Sequence, residues 1–275
     1  MFFVDSHCHL NVKKFSKITE TSQENYSIES LLTRAYNVGV KYILNIGTEL
    51  ADIGEMHSIS ASHAGVFHTI GIHPLEAQRH LQQYSLQDMA DTINSNCNNE
   101  KLAGIGEIGL VYYYTRENEQ EQKKIFELQM DIATKHGLPV AIHSREAEAD
   151  TLAILQNYSG ARGVMHCFSG SRDFAFGALD LGFYISFSGV VTFKNSTRVQ
   201  EIVSDIPSHR LLVETDAPFL APNPFRGKAN EPAFLVHTAK KIADLCGTTS
   251  EKIAHATSQN FFNLFSKAKI FCDKE

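Results

Sequence analysis

The sequence has little of what marks a secreted, membrane-bound or DNA-coating protein. Its five cysteines are scattered over 275 residues without a Cys-x-x-Cys pair, so we expect reduced thiols and a cytoplasmic location. No run approaches the roughly 18–20 apolar residues of a membrane span, and we expect no association with a membrane. The formal net charge is −6, which excludes a broad basic face that would coat duplex DNA.

Short apolar runs alternate with helical patterns along the chain. The composition, 43% hydrophobic and 20% charged, is sufficient for a large buried core. Without an internal repeat or linker, residues 1–275 are interpreted as one domain. The predicted strands are Phe2–Ser6, Val40–Ile46, Phe67–Ile72, Lys101–Glu107, Leu138–His143, Gly163–Cys167, Phe183–Phe187 and Leu211–Thr215. The predicted helices are Ile28–Asn37, Asn118–His136, Ala147–Asn157, Asp173–Leu181, Thr197–Ile206, Pro232–Cys246 and Ser250–Phe265.

This alternation is typical of parallel βαβ units. Eight units in a chain of this length predict a single (β/α)8 barrel, with the active site at the carboxyl ends of the strands. A doubly wound open sheet is the competing interpretation. Its usual glycine-rich phosphate loop does not follow the first strand, which ends in histidines instead.

The first strand ends in Asp5-Ser-His7-Cys8-His9. This pattern is compatible with a metal site, a zinc-finger fragment or an ordinary polar strand end. Because side chains alternate along a strand, Asp5, His7 and His9 are predicted on one face and Cys8 on the other. Turning the cysteine away disfavours the zinc finger, but the histidine pair alone does not decide between the other two.

Four other predicted strands end in a residue that can bind a metal. These residues are Glu107, His143, His166 and Asp216. Asp216 alone would be interpreted as a helix cap, but capping does not explain five such strand ends together. Because these ends meet at one rim of a barrel, they predict a clustered metal site.

Four histidines and two carboxylates are too many ligands for one tetrahedral ion and suit two divalent ions. Glu107 is predicted to bridge. Its partners would be His7, His9 and Asp216 at one ion, and His143 and His166 at the other. The ligands are compatible with Mg²⁺, Mn²⁺ or Zn²⁺ and do not select one. Two such ions would exceed the charge of the two carboxylates and attract an anionic substrate.

These motifs and their surroundings resemble the TatD family of metal-dependent deoxyribonucleases, part of the amidohydrolase-like metal-dependent hydrolases. The similarity runs from residue 4 to about residue 265. It includes Asp-Ser-His-Cys-His-Leu, Gly-Ile-His73-Pro, Gly-Glu-Ile-Gly-Leu, Pro-Val-Ala-Ile-His-Ser-Arg-Glu-Ala, His-Cys-Phe-Ser-Gly and Leu-Leu-Val-Glu-Thr-Asp-Ala-Pro-Phe-Leu-Ala-Pro.

The resemblance implies a (β/α)8 barrel and hydrolysis of phosphodiester bonds in DNA. It further implies a 3′-to-5′ exonuclease acting on single-stranded ends. Carried over by motif, His7 and His9 would bind the first ion, Glu107 would bridge, and His143 and His166 would bind the second. Asp216 would be both a ligand and the catalytic acid–base. The oligomeric state stays open.

One position departs from the family pattern. The family usually continues Gly-Leu-Asp-Tyr, whereas this chain reads Gly109-Leu110-Val111-Tyr112. Val111 cannot accept a hydrogen bond, so any support that the usual aspartate gives to a ligand or loop is missing. We expect activity to be retained, and Val111→Asp to raise or preserve turnover.

Four further residues are candidates for substrate binding, each with a plainer alternative. His73 could contact a phosphate or cap the segment that begins at Pro74. Arg145 could clamp a phosphate or pair with Glu146 or Glu148. Arg226 and Lys228 follow the last strand in a Gly/Pro-rich loop and could bind phosphate or be solvated.

Two rival functions remain. A metal-dependent amidohydrolase or deacylase could use the same centre on a smaller substrate, although enzymes of that group often bridge their ions with a modified lysine where this chain has Glu107. A non-catalytic protein that keeps the fold would be expected to have lost at least one ligand, and all six are present.

Overall fold

The computed structural model describes residues 1–11 and 26–272, with side chains to residue 269. Eight strands, each parallel to the next, lie in the order in which they occur in the sequence. They are β1 (Phe3–Cys8), β2 (Val40–Asn45), β3 (Val66–Ile70), β4 (Leu102–Val111), β5 (Val140–Arg145), β6 (Gly163–Met165), β7 (Tyr184–Phe187) and β8 (Leu211–Val213).

The barrel closes between β1 and the segment that follows β8. Cys8 and Ala217 form a parallel bridge. The Asp216 amide donates to the His7 carbonyl at 2.9 Å, and the His9 amide donates to the Ala217 carbonyl at 2.8 Å. The predicted (β/α)8 barrel is therefore confirmed, and the open sheet is excluded.

Helices follow the strands on the outside of the barrel. They are α1 (Ile28–Asn37), α2 (Ile53–Ser62), α3 (Ala77–Gln83), α4 (Leu86–Asn96), α5 (Glu119–His136), α6 (Glu148–Gln156), α7 (Arg172–Asp180), α8 (Thr197–Val203), α9 (Leu235–Leu245), α10 (Ser250–Leu264) and α11 (Ser266–Cys272). In the described part of the chain, no helix is long and apolar enough to cross a membrane. The thiols of Cys8, Cys97, Cys167 and Cys246 are free.

The bounds of the predicted helices agree with the structure to within about three residues, and Gly137 caps α5 in the left-handed conformation, with φ 63°. Helices α2, α3, α4 and α11 were not predicted. The signal for α4 is present, because Ser85 and Asp88 form a capping box at its start. Helix α2 begins at Ile53, and its N-cap residue Asp52 forms no side-chain capping hydrogen bond, so no capping box marks its start.

Apolar side chains fill the barrel and close one end of it. The interior cluster includes Val4, Leu44, Phe67, Val164 and Leu212. Side chains of α10, of α11 and of the residue between them extend this cluster at the amino ends of the strands: Phe261, Leu264, Phe265 and Ala268. With this end closed, polar groups that need access to solvent are confined to the carboxyl ends of the strands.

Strand β4 is longer than predicted and β8 is shorter. Strand β4 continues to Val111, so Glu107 lies inside the strand rather than at its end. The continuation depends on Gly109, where φ is 130° and a Cβ atom would lie 2.0 Å from the His143 carbonyl oxygen. Strand β8 ends at Val213, which leaves Glu214 and Asp216 in the following segment.

The prediction that Asp5 shares a face with His7 and His9 is wrong. Regular alternation in β1 is interrupted between Asp5 and Cys8 by a register shift against β2. Val4 lies in the interior cluster and the Ser6 hydroxyl oxygen is 3.2 Å from that of Ser186. The Asp5 carboxylate instead accepts a hydrogen bond from the Thr215 amide at 2.9 Å.

Candidate metal centre

The first ligand group joins side chains from β1, β4 and the segment after β8. The Nε2 atoms of His7 and His9 are 3.3 Å apart. Each lies 3.5–3.7 Å from Glu107 Oε2 and from Asp216 Oδ1. Ligands bound tetrahedrally at about 2.1 Å are separated by about 3.4 Å, so each of these five separations is close to the spacing between two ligands of a tetrahedral ion.

The second ligand group uses the other oxygen of the same glutamate. Glu107 Oε1 is 2.8 Å from His143 Nδ1 and 2.8 Å from His166 Nε2. The two histidine nitrogens are 2.9 Å apart. These separations are close to the spacing of about 3.0 Å between adjacent ligands of an octahedral ion. The carboxylate of Glu107 therefore lies between two separate ligand groups.

Contacts behind the ligands orient the imidazole rings. His9 Nδ1 is 3.1 Å from the Ile46 carbonyl oxygen, so Nδ1 carries the hydrogen and Nε2 presents its lone pair to the centre. His166 Nδ1 is 3.2 Å from Glu214 Oε1, which also accepts from the Cys167 amide at 2.7 Å. The rings of His7 and His166 stack at 3.8 Å, which couples the two ligand groups.

The charges of the centre fit divalent cations. Burial acts to lower the pKa of His166, but Glu107 and Glu214 outweigh it and hold that pKa well above its usual value. Burial acts to raise the pKa of Glu107, but His166, His73 and His143 hold it well below its usual range. Positive charge beside these two carboxylates is therefore favourable, and the donor set is compatible with metal binding.

Two adjoining cavities open over this centre. The first, of about 410 Å³, extends toward Thr48, Glu49 and Glu76. The second, of about 520 Å³, extends toward Val111, Tyr114 and Arg145. Six residues line both: His73, Leu75, His143, His166, Asp216 and Phe219. Together the cavities form a two-branched mouth at the carboxyl ends of the strands.

A family model described as TatD related DNase matches residues 4–266. The chain belongs to the TatD family. The uncharacterized metal-dependent hydrolase YcfH of Escherichia coli K12 is 38% identical over 267 residues, 96% of each chain. A second such hydrolase, YabD of Bacillus subtilis, is 36% identical over 264 residues, 95% of this chain and 98% of YabD.

A solved TatD homologue, YJJV of Escherichia coli K12, superimposes with a TM-score of 0.85 at 26% identity, covering 96% of this chain and 98% of its own. The names of the relatives agree with the chemistry of the donor set. This TatD-family protein is therefore a metal-dependent hydrolase, and its resemblance to the family is confirmed.

His73 lies beside the second ligand group of this TatD centre, with a ring nitrogen within 4.8 Å of ligand atoms of Glu107 and His143. Its Nδ1 accepts a hydrogen bond from the Leu75 amide at 3.1 Å, so its hydrogen is on Nε2, 3.5 Å from Glu107 Oε1. Burial lowers the pKa of His73 to about 3, which keeps the ring neutral. His73 therefore caps the turn at Pro74 and directs a hydrogen-bond donor into the mouth, while its contact with a phosphate stays a prediction.

The predicted basic contacts separate into two positions. Arg145 lies in the second cavity of the mouth, and its guanidinium stacks 3.8 Å above the Tyr113 ring. Glu148, its alternative partner, accepts from the Ser171 amide instead. Arg226 lies 3.7 Å over the ring of Phe193. Among the described residues that line the two cavities, neither Arg226 nor Lys228 occurs.

Sequence reasoning missed the apolar and acidic parts of the mouth. Leu75 and Phe219, each more than 40% exposed, flank the ligands, and Thr48 and Glu49 extend the first cavity. A usable signal was their position in the sequence, since Leu75 directly follows His73-Pro74 and Phe219 lies three residues after Asp216. Val111 is 1% exposed, and its amide and carbonyl bond to the Gln122 side chain, which holds the end of β4 independently of residue 111's side chain.

Proposed function

We propose that this protein is a deoxyribonuclease that removes nucleotides from the 3′ ends of single-stranded DNA with two divalent ions. The observation that supports the proposal most directly is Glu107, whose two carboxylate oxygens face two separate ligand groups. Two-ion centres of this kind stabilise both the attacking and the leaving oxygen of a phosphodiester. The family description, TatD related DNase, supports DNA as the substrate.

Ions bound to these six ligands would lower the pKa of a water molecule and place positive charge on the oxygens of the phosphate. Asp216 accepts the proton of the attacking water. Its Oδ1 is 3.5 Å from His9 Nε2, and burial raises its pKa to about 6, which suits a base near neutral pH. As the water oxygen bonds to phosphorus, the P–O3′ bond breaks and the proton passes from Asp216 to the leaving O3′.

The charge of the centre supports an anionic substrate in an acidic protein. Two divalent ions carry +4, and Glu107 and Asp216 offset two of these charges, which leaves +2 to attract a phosphodiester. The four nitrogen ligands suit Zn²⁺ or Mn²⁺, and carboxylate with phosphate suits Mg²⁺ or Mn²⁺. Because the four cysteines whose side chains are described have free thiols, a reducing cytoplasmic setting belongs to the same proposal.

Digestion of single-stranded DNA labelled at its 5′ end tests the proposal. The protein is first stripped with EDTA and then restored with Mg²⁺, Mn²⁺ or Zn²⁺ separately. We expect a ladder that shortens from the 3′ end, release of nucleoside 5′-monophosphates, and no cleavage in EDTA.

Parallel assays on ester and amide substrates address the amidohydrolase alternative. Metal-dependent cleavage of these substrates by protein that leaves DNA intact would contradict the proposed nuclease. Metal content is measured in each preparation, so that an inactive protein is distinguished from an empty one.

A further inference from the structure

The two branches of the mouth differ in charge. Beyond the six residues that both cavities share, the first adds the carboxylates of Glu49 and Glu76 together with Glu107. The second adds one ionised side chain, Arg145, among the described residues that line it. A flexible polyanion that crosses the centre meets opposite charge on the two sides.

The first branch remains negative after its own ion pairs are counted. Arg79 Nη2 hydrogen-bonds to Glu49 Oε2 and lies 2.8 Å from Glu76 Oε2. One guanidinium thus faces two carboxylates, and a net charge of −1 is left beside Thr48. Carboxylate oxygens at this point accept hydrogen bonds from hydroxyl groups and repel a phosphate.

The second branch presents a pre-oriented cation. Arg145 is two residues beyond His143 on β5, on the same side of the strand and about 7 Å farther along it. Its guanidinium packs 3.8 Å over Tyr113 and 5.6 Å over Tyr114. Arg145 forms no ion pair with a carboxylate of the described residues. A stacked, planar guanidinium is well suited to bind phosphate.

We propose that the mouth sorts the substrate by charge, with the retained DNA strand in the second branch and the 3′-terminal nucleoside in the first. The inference rests on the proposed exonuclease function and deepens it. Arg145 binds the phosphodiester on the 5′ side of the scissile one, and the exposed ring of Tyr114 stacks on the adjoining base. Glu49 accepts a hydrogen bond from the terminal 3′-hydroxyl.

This arrangement explains why cleavage would begin at a 3′ end. A terminal nucleoside carries no phosphate beyond the scissile one, so its sugar and base enter the negative branch without repulsion. An internal position would place a further phosphodiester beside Glu49 and Glu76, which is unfavourable. The acidic branch is thus a specificity element that selects the strand end.

Short oligothymidylates of two lengths test the second branch. The dinucleotide has one phosphodiester, the scissile one, whereas the trinucleotide adds one phosphodiester on its 5′ side. We expect Arg145→Gln to lower kcat/KM on the trinucleotide about tenfold or more, mainly through KM, and to leave the dinucleotide within about twofold. The matched control is Arg172→Gln, an exposed arginine that stacks 4.6 Å over Phe176 away from the mouth.

The terminal group tests the first branch. Wild-type protein should cleave a trinucleotide with a 3′-hydroxyl about tenfold or more faster than one with a 3′-phosphate, and Glu49→Gln should narrow that ratio. Equal losses of Arg145→Gln on both lengths, or a ratio unchanged by Glu49→Gln, would overturn the inference. If metal-loaded wild-type protein cleaves none of these substrates, the proposed nuclease function fails instead.

Discussion

Single residues in the centre differ in what their replacement removes. Glu107 supplies an oxygen to each ligand group, whereas Asp216 contacts only the first group and has a raised pKa of about 6 because of burial. Loss of Glu107 is therefore expected to abolish metal binding at both ligand groups. Loss of the Asp216 charge is expected to leave binding partly intact and to remove the base.

Asp216→Asn tests this role directly. The amide keeps an oxygen for the ion but cannot accept the proton of water, so we expect turnover on single-stranded DNA to fall by about a hundredfold or more. The measurement is kcat with metal content determined on the same sample. Asp205→Asn, at an exposed ion pair with Arg172, is the control. A metal-replete Asp216→Asn protein with nearly normal turnover would exclude this role.

Val111→Asp tests the departure from the family pattern. Val111 and Arg145 are neighbouring partners of β4 and β5, and both line the second cavity. An aspartate there would place a carboxylate beside the guanidinium. We expect kcat to be preserved or raised, as the family pattern implies, while KM for DNA rises because Arg145 is partly neutralised. The matched control is Val111→Asn, whose side chain has the shape of aspartate without its charge. Its KM for DNA should be lower than that of Val111→Asp.

His68 should make stability depend on pH. Burial lowers its folded pKa from 6.5 to about 3, so between these values the unfolded chain binds a proton that the folded chain does not. Stability is therefore lost as pH falls below 6.5, by about 2 kcal/mol at pH 5 from this residue. The free energy of unfolding is measured with urea at pH 7 and at pH 5. Between these pH values, His68→Asn should lose about 2 kcal/mol less of this free energy than wild type. Equal losses in the two proteins would contradict the prediction, and between pH 7 and 8 their free energies of unfolding should change in parallel.

At the scale of elements, the sequence predicted what periodicity and strand ends encode. Eight strands, their parallel order and the meeting of Glu107, His143 and His166 followed from apolar runs that end in metal-binding residues. The side of Asp5 did not follow, because a register shift interrupts β1 and has no local sequence mark. Leu75 and Phe219 were missed because residue type alone does not distinguish an apolar side chain at the mouth from one in the core.

The packing of α10 and α11 at the closed end of the barrel gives a prediction about stability. Phe265 is fully buried among Phe261, Leu264 and the interior cluster. Phe265→Ala should lower the free energy of unfolding by about 3–5 kcal/mol, because it removes buried area and leaves a cavity. Urea denaturation measures the loss. Phe176→Ala, on the surface helix α7, is the control and should cost much less.

At the scale of the whole molecule, the ligands lie on β1, β4 and β5 and in the segments directly after β1, β6 and β8. Ions bound there would cross-link parts of the barrel that are far apart in sequence. Binding to the folded state alone stabilises it by mass action. We expect removal of metal with EDTA to lower the melting temperature by several degrees.

Thermal melts with and without added metal measure that stabilisation. Glu107→Gln is the matched control, since it alters an atom of both ligand groups without changing the size of the side chain. Its melting temperature should respond weakly to EDTA. An equal response in the two proteins would place the stabilising ions elsewhere.

The seam between β1 and the segment after β8 also bears on how the protein is made. The first ligands, His7 and His9, come from the strand that is synthesised first, and they meet Asp216 only across that seam. A ribosome that has not yet released residues 211–217 therefore carries a chain with neither a closed barrel nor the Asp216 carboxylate. The first ligand group is completed only when these residues have left the ribosome, so metal-dependent hydrolysis cannot begin on a shorter nascent chain.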